Sequence, residues 1–413
     1  ENESLTIFTE NRACRRFLIL ETVTSEQHEQ NLISLGINEL GFKLVVEEMK
    51  LNNNSNIVVS PTGIAGLLAM TLLGSAGATY NELATTLGFS QDILKNRVHH
   101  EQFGELLHVL SNSSSRTAYS DAIFVDPRTR VRPMYREYLR RVYRGDAFAA
   151  PFAKLWEFLK EPLPAQTKIA LLSALYFSGQ WDRPFVPKYT AKMPFKSPTG
   201  DVTADLMLNF GEFKFIYSLE DGLHMVALPY NDSTTTMYAL KPIKNMRLTE
   251  LMGRLNYTKI NHLISRMTND RVIVRFPKME IKTSMHLEDS LKALGLDAMF
   301  SPTKANFALM IDPNKDVNST EEELLTRINF EDRTQEIKDA VNRLPNPGVH
   351  VDTVLHDVKI SINEYGTEAV AATGGFLTRT AEQFYANSPF YMFIRNEKTK
   401  LVTFSAAIFN PTV

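Results

Sequence analysis

The chain has 413 residues, 44% hydrophobic and 22% charged, a balance typical of a soluble globular protein that can bury a large core without disulfides or metals. Forty-five Lys and Arg against 47 Asp and Glu leave a net charge of −2, which excludes a globally basic nucleic-acid binder. A single cysteine, Cys14, excludes an internal disulfide framework, and the longest apolar stretches, Gly63–Gly74 and Ile169–Phe177, fall short of the ~20 residues of a membrane helix.

Residues 1–25 read as an N-terminal extension. From 26 to 50 the spacing of Ile33, Ile37, Leu40 and Leu44 lines one face of a helix. Ile57–Val59 reads as a short strand. Ser60 and Pro61 then form a helix start, because a serine hydroxyl caps free amides and proline lacks the amide that would go unpaired. The helix that follows, through Gly74, is apolar all round and is expected to be buried. His99-His100-Glu101 reads as a solvated helix face rather than a metal site, since zinc needs three or four converging ligands. After a strand at Ala122–Val125, residues 128–145 predict an Arg-rich helix, with Arg136, Arg140 and Arg144 as one i, i+4 stripe beside Arg141. That stripe reads either as a solvated face or as a polyanion site.

Ile169–Phe177 predicts a strand covered on both faces. Short β-type runs follow at Phe213–Tyr217, His224–Leu228, Thr235–Leu240 and Val272–Phe276, then a helix at Leu287–Leu294. Residues 313–348, dense in charge and turn formers, predict a surface insertion, with room for a short amphipathic helix within Leu324–Leu344. Val354–Ile362 alternates as a half-buried strand, and Phe390–Ile394 and Leu401–Phe409 are again β-rich. Helices early and strands late, without βαβ alternation, predict one α+β unit.

The sequence carries no nucleophile elbow, phosphate-binding glycine loop, dinucleotide fingerprint or zinc-protease motif, so it is read as a non-enzyme that needs no cofactor or metal. Six Asn-x-Ser/Thr sequons (Asn2, Asn53, Asn112, Asn231, Asn256 and Asn318), most in polar contexts, predict a secreted glycoprotein.

The most specific pattern is Glu364-Tyr365-Gly366-Thr367-Glu368-Ala369-Val370-Ala371-Ala372-Thr373. Small side chains let a segment slip between neighbouring strands, and Gly366 supplies a pivot. This resembles the reactive-loop hinge of the serpins. Phe384-Tyr385-Ala386-Asn387-Ser388-Pro389-Phe390, Asn56-Ile57-Val58-Val59-Ser60-Pro61, Ala174–Trp181 with Pro184-Phe185, Leu228-Pro229-Tyr230 and Phe276-Pro277-Lys278 are similar to further family segments, in the right order over about residues 30 to 413. The resemblance implies a single-domain, three-sheet α+β fold with eight or nine helices and an exposed loop, 366–384, that baits a serine protease. An inhibitory member is cleaved, inserts that loop into its main sheet and carries the trapped protease along.

Four departures bear on function. Gly366 to Pro389 is about two positions shorter than in compact inhibitory relatives, a loss of roughly 7 Å of reach. By family counting the cleaved residue is Thr380, whereas the trypsin-type site, Arg379, lies one position earlier. In the hinge, Val370 replaces a small residue and Tyr365 a charge. In the polar lock of the sheet, Ser60 and His356 match the family, but Gly63 replaces a Ser and Ser173 an Asn; Trp181 matches the breach above it. Finally, about seventeen residues, ~25 Å of the helix that crosses the sheet, are missing near 153–166. The expectation is a secreted, monomeric, poorly trapping or non-inhibitory member that acts by binding, with neither nucleic-acid nor membrane partner; the alternative is a suicide inhibitor of a trypsin-like protease using Arg379.

Overall fold

The computed structural model describes residues 30–112, 116–149, 167–243, 245–313, 335–365 and 381–413, with residues 323 and 325. The hinge from Gly366 to Thr373, the candidate bond Arg379–Thr380, the N-terminal extension and residues 153–166 lie outside the described residues.

Helix α1 spans residues 30–51 and buries Ile33, Ile37, Leu40 and Leu44, the expected stripe. Strand β1 (Ile57–Val59) leads into α2 (Pro61–Leu73), which is buried from Pro61 through Leu72. The Ser60 hydroxyl accepts the Gly63 amide at 3.0 Å, capping that helix as the sequence predicts. Helices α3 (Gly77–Leu87) and α4 (Asn96–Ser111) pack nearby. His100 on α4 corrects the solvated-face reading: it is buried, its Nδ1 meets the Tyr143 hydroxyl, and burial pushes its pKa down to about 3.

Beyond β2 (Arg116–Val125), the Arg-rich segment also departs from expectation. Arg130–Val131 forms a short strand, β3, and only then does α5 (Pro133–Val142) begin. A distant partner explains the change: β3 pairs with β12 (Ile311–Asp312), and the buried Arg132 Nε donates to the Ala308 carbonyl.

The other strands are β4 (Asp146–Ala149), β5 (Ile169–Ser178), β6 (Ala191–Ser197), β7 (Gly200–Ser218), β8 (Leu223–Pro229), β9 (Thr235–Pro242), β10 (Thr268–Pro277), β11 (Met279–His286), β13 (Val351–Ile362), β14 (Glu382–Tyr385), β15 (Phe390–Asn396) and β16 (Val402–Ile408). The remaining α-helices are α6 (Leu248–Arg254), α7 (Tyr257–Ser265), α8 (Glu288–Ala293) and α9 (Gln335–Arg343). Among the described residues this gives nine α-helices and three sheets, the expected α+β architecture. Within the 313–348 region, α9 buries Ile337 and Val341.

One sheet runs β11-β13-β5-β2-β4. A second, nine-stranded path runs β1-β16-β15-β9-β8-β7-β10-β14, with β6 added on β7. The third is the β3–β12 pair. In the five-stranded sheet β13 and β5 are direct, parallel neighbours from Val351↔Ile169 to Lys359↔Tyr176. On the other sides of this pair, β11 lies antiparallel to β13 and β2 antiparallel to β5.

Candidate functional site

The site has three parts: the β5–β13 seam, the post from which the loop leaves β13, and the post at which it arrives on β14. At the seam, strand register sets Ser173 of β5 opposite His356 of β13. Both face α2, where the Ser60 amide donates to His356 Nε2 at 2.8 Å. A ring nitrogen that accepts carries no proton, so the neutral imidazole holds its proton on Nδ1. Burial pushes the His356 pKa down to about 4, consistent with that form. The sequence-predicted lock residues Ser60, Gly63, Ser173 and His356 are therefore brought together. The substitution of Gly63 has a steric reason: a Cβ there would stand 2.8 Å from Ser173 Oγ and 3.1 Å from Ser60 Oγ. Beyond the backbone ladder of the seam, the lock makes one side-chain bond, from the α2 cap to β13; among the described residues Ser173 Oγ and His356 Nδ1 have no hydrogen-bond partner.

The departure post is built beyond the end of β5. Trp181 stacks on Tyr230 at 4.4 Å between centroids and meets Phe185 edge-on at 5.9 Å. Its Nε1 donates to the Asn363 carbonyl at 3.0 Å and its amide to the Tyr365 carbonyl at 3.1 Å. The Phe185 amide donates to the Glu364 carbonyl at 2.7 Å. Glu364 is 7% exposed; Thr190 Oγ1 donates to it at 2.9 Å and Lys278 Nζ pairs with it at 3.0 Å. Burial alone would raise its pKa, but these partners outweigh burial and hold the carboxyl below the usual range.

The arrival post is the four-residue parallel pairing of β14 on β10, from Val272↔Glu382 to Arg275↔Tyr385. Lys241 Nζ crosses to it, donating to the Tyr385 carbonyl at 2.7 Å and to Asn387 Oδ1 at 3.1 Å. Burial, with Lys196 adding to it, pushes the Lys241 pKa down to about 8. His224 packs its ring 5.0 Å from Phe384. Between the posts, the first ending at Tyr365 and the second beginning at Glu382, lie sixteen residues, 366–381. The chain is thus held on both sides of this segment, beside a sheet with a parallel joint.

A family model described as "Serpin (serine protease inhibitor)" matches the chain over residues 35–157 and 153–411. The chain belongs to the serpin family. The two matched segments meet at 153–157, inside the stretch that lacks the sheet-crossing helix motifs. Among curated proteins the chain is similar to human Serpin B8, 27% identical over 90% of this chain and 96% of that one. Serine protease inhibitor 28Dc of Drosophila melanogaster is also 27% identical, over 87% of this chain and 76% of its own. Among solved structures, human thyroxine-binding globulin complexed with its hormone has a TM-score of 0.77 at 18% identity, covering 93% of this chain and all of that one. Native protease nexin-1 with heparin has a TM-score of 0.74 at 22% identity, covering 92% of this chain and 100% of its own. At these identities the structural likeness speaks for the fold alone.

The arginine stripe takes a different form in this serpin from the one its spacing predicts. Helix α5 stops at Val142, and Arg144 follows in left-handed backbone (φ 54°), so it does not continue the i, i+4 row. Arg136 and Arg140 both grip Asp146, at 3.0 and 2.6 Å. Arg141 reaches Glu101 at 3.6 Å and lies over the Tyr138 ring. Burial raises the Asp146 pKa, yet the two arginines outweigh it and keep the carboxyl low. Asp146→Asn is therefore expected to raise the salt concentration at which the serpin leaves a heparin column, because it releases two guanidiniums from their internal anion. Unchanged elution would show that the freed pair does not meet the polymer.

Sequence reasoning missed Lys278, Thr190 and Lys241, ordinary surface types whose roles come from distant pairings. It also missed Asp121, for which a signal existed: a carboxylate on the inward phase of an apolar strand.

Proposed function

We propose that this serpin presents Arg379 to a trypsin-like serine protease outside the cell and acts as a cleaved or bound partner rather than a durable trap. The observation that carries the reading is the short tether: sixteen residues, 366–381, join two fixed posts, and the departure post holds Glu364 through Thr190, Lys278 and the Phe185 amide. Trapping is a race in which the loop must cross the sheet before the acyl ester hydrolyses. A short, anchored loop with Val370 in its hinge runs that race slowly. Binding without trapping is compatible with the fold, as the hormone complex of thyroxine-binding globulin illustrates for that protein.

A second reading, suicide inhibition at Arg379, is favoured by one observation. Thr367, Ala369, Ala371 and Thr373 alternate as the small inward set an inserted strand needs. Trypsin mixed with the serpin and resolved by denaturing electrophoresis separates the two readings. Loop clipping without a denaturant-stable complex is the expected result, and a stable complex would establish the second reading. Secretion is supported by Asn53, Asn112, Asn231 and Asn256, the sequon asparagines among the described residues, all of which are exposed. A mass loss on enzymatic deglycosylation of the serpin from its native source is expected, and an unmodified mass would remove that support.

A further inference from the structure

Strand register extends the lock by one more strand. Asp121 of β2 stands opposite Ser173, so Asp121, Ser173 and His356 form one inward row across three strands, against α2. The row fits over two glycines that share a face of that helix. A Cβ on Gly66 would come 2.8 Å from Asp121 Oδ2, as one on Gly63 would from Ser173 Oγ. Asp121 Oδ1 is buried without a hydrogen-bond partner, and so are Ser173 Oγ and His356 Nδ1. Three unsatisfied polar atoms in a row beside the parallel joint make the closed seam costly at that point.

We propose that Asp121 is a proton-controlled latch on the seam: protonated, it lets the sheet lie closed on α2, and ionised, it drives β2 and β5 off the helix and loosens β5 from β13. This holds whether or not the loop itself inserts. Among the described residues no cation faces the carboxyl. On β5 it meets Ser173, with His356 of β13 one strand further. On the β4 side lies the chain at Gly145, followed by Asp146, which is occupied by Arg136 and Arg140. Helix α2 offers Gly66, and Met70 packs at Gly145. From α4 Leu107 closes the space, while Glu101, Glu105 and His108 are exposed and His100 is held by Tyr143. From α5, Tyr135 donates to the Met70 carbonyl. Burial pushes the Asp121 pKa up to about 7, and the nearby Ser173 hydroxyl, short of full hydrogen-bond geometry, only partly opposes it.

The sign follows from linkage. The closed form holds a proton that the open form releases at about pH 4, so the closed form loses ground as pH rises from about 4 to about 7. His356 acts oppositely, destabilising the closed form as pH falls from about 6.5 towards 4. The comparison of the native chain with Asp121→Asn isolates the aspartate.

Amide hydrogen exchange of β5 and β13, with β9 and β15 as internal reference, is the test. Between pH 5.5 and 8 the seam protection of the native chain, relative to that of Asp121→Asn, is expected to drop on the order of thirtyfold, the equivalent of about one and a half pH units of linkage. Equal pH dependence in the two proteins would overturn the latch. If the variant does not fold, carbon-13 NMR of the aspartate-labelled native chain decides: one buried carboxyl titrating near neutrality supports the proposal, and all aspartates titrating below about pH 5 overturn it.

Discussion

Trypsin cleavage at Arg379 is expected to leave the thermal midpoint of this 413-residue serpin within about 1 °C of the uncut chain, a change of about 1 kcal/mol or less. The topology sets the contrast. The joint between β5 and β13 is parallel, and a strand arriving from the end of β13 would run antiparallel to both. One parallel ladder would be exchanged for two antiparallel ones. Since β5 has ten residues, the gain is about ten further backbone hydrogen bonds. At ~1 kcal/mol net each this is on the order of 10 kcal/mol, or roughly 10 °C. Against it stand the departure post, which must release Glu364 from Thr190 and Lys278, and the short tether. Scanning calorimetry of cut and uncut protein reads the difference directly. A rise of about 10 °C or more would show that the loop inserts once freed and would restore the inhibitory reading.

The two outcomes differ so widely because the fold stores a choice of pairing. The lock ties β13 to the α2 cap with a single side-chain bond, Ser60 to His356, where the family resemblance implies several polar contacts. Gly63 and Ser173 are matched to each other by size, so restoring a serine at 63 alone would force Ser173 to move. Sheet opening and loop supply are thus separate variables in this chain: the polar lock makes a single side-chain bond to β13, while residues 363–365, from which the loop departs, are held by Trp181, Phe185, Thr190 and Lys278.

Much of the fold was legible in the sequence for physical reasons. Helix α2 is apolar all round and starts with a serine cap and a proline, so its burial and its first residue follow from local chemistry. Strand β13 alternates from His356 to Ile362 because one face meets the core. The Arg-rich segment resisted the same reading. Helical spacing runs through residues 128–145, but Arg130–Val131 is claimed as a strand by Ile311–Asp312, and Asp312 meets Arg130 at 3.5 Å. Arg132 is buried because a carbonyl nearly two hundred residues away accepts its proton. His100 went unseen for the same reason, since its partner Tyr143 lies on the far side of β2, β3 and α5 in the chain. Of the site, the family pattern located Ser60, Gly63, Ser173, His356, Trp181 and Glu364. The cations and hydroxyls that grip Glu364 came only with the tertiary structure.

Trp181→Ala is expected to destabilise the protein by about 3–5 kcal/mol and to loosen the departure post. The indole is 3% exposed, lies flat on Tyr230 and closes against Phe185, so removing it deletes a large buried surface and opens a cavity between β5 and β8. It also removes the donor to the Asn363 carbonyl, one residue before Glu364. Trp181→Phe separates the two contributions. It keeps a ring on Tyr230 and loses chiefly the N–H, so its cost is expected nearer 1–2 kcal/mol. Denaturant unfolding with a constant slope measures both values. The functional consequence follows from the same contacts. With Asn363 released, the hinge keeps the residue-181 amide on the Tyr365 carbonyl and the partners of Glu364, Thr190, Lys278 and the Phe185 amide, but has one holding bond fewer, so it leaves its post more readily. Trypsin-cut Trp181→Phe should therefore gain more thermal stability on cleavage than the cut native chain does. An equal gain in the two proteins would show that the post does not restrain the loop, and tether length alone would then account for poor insertion.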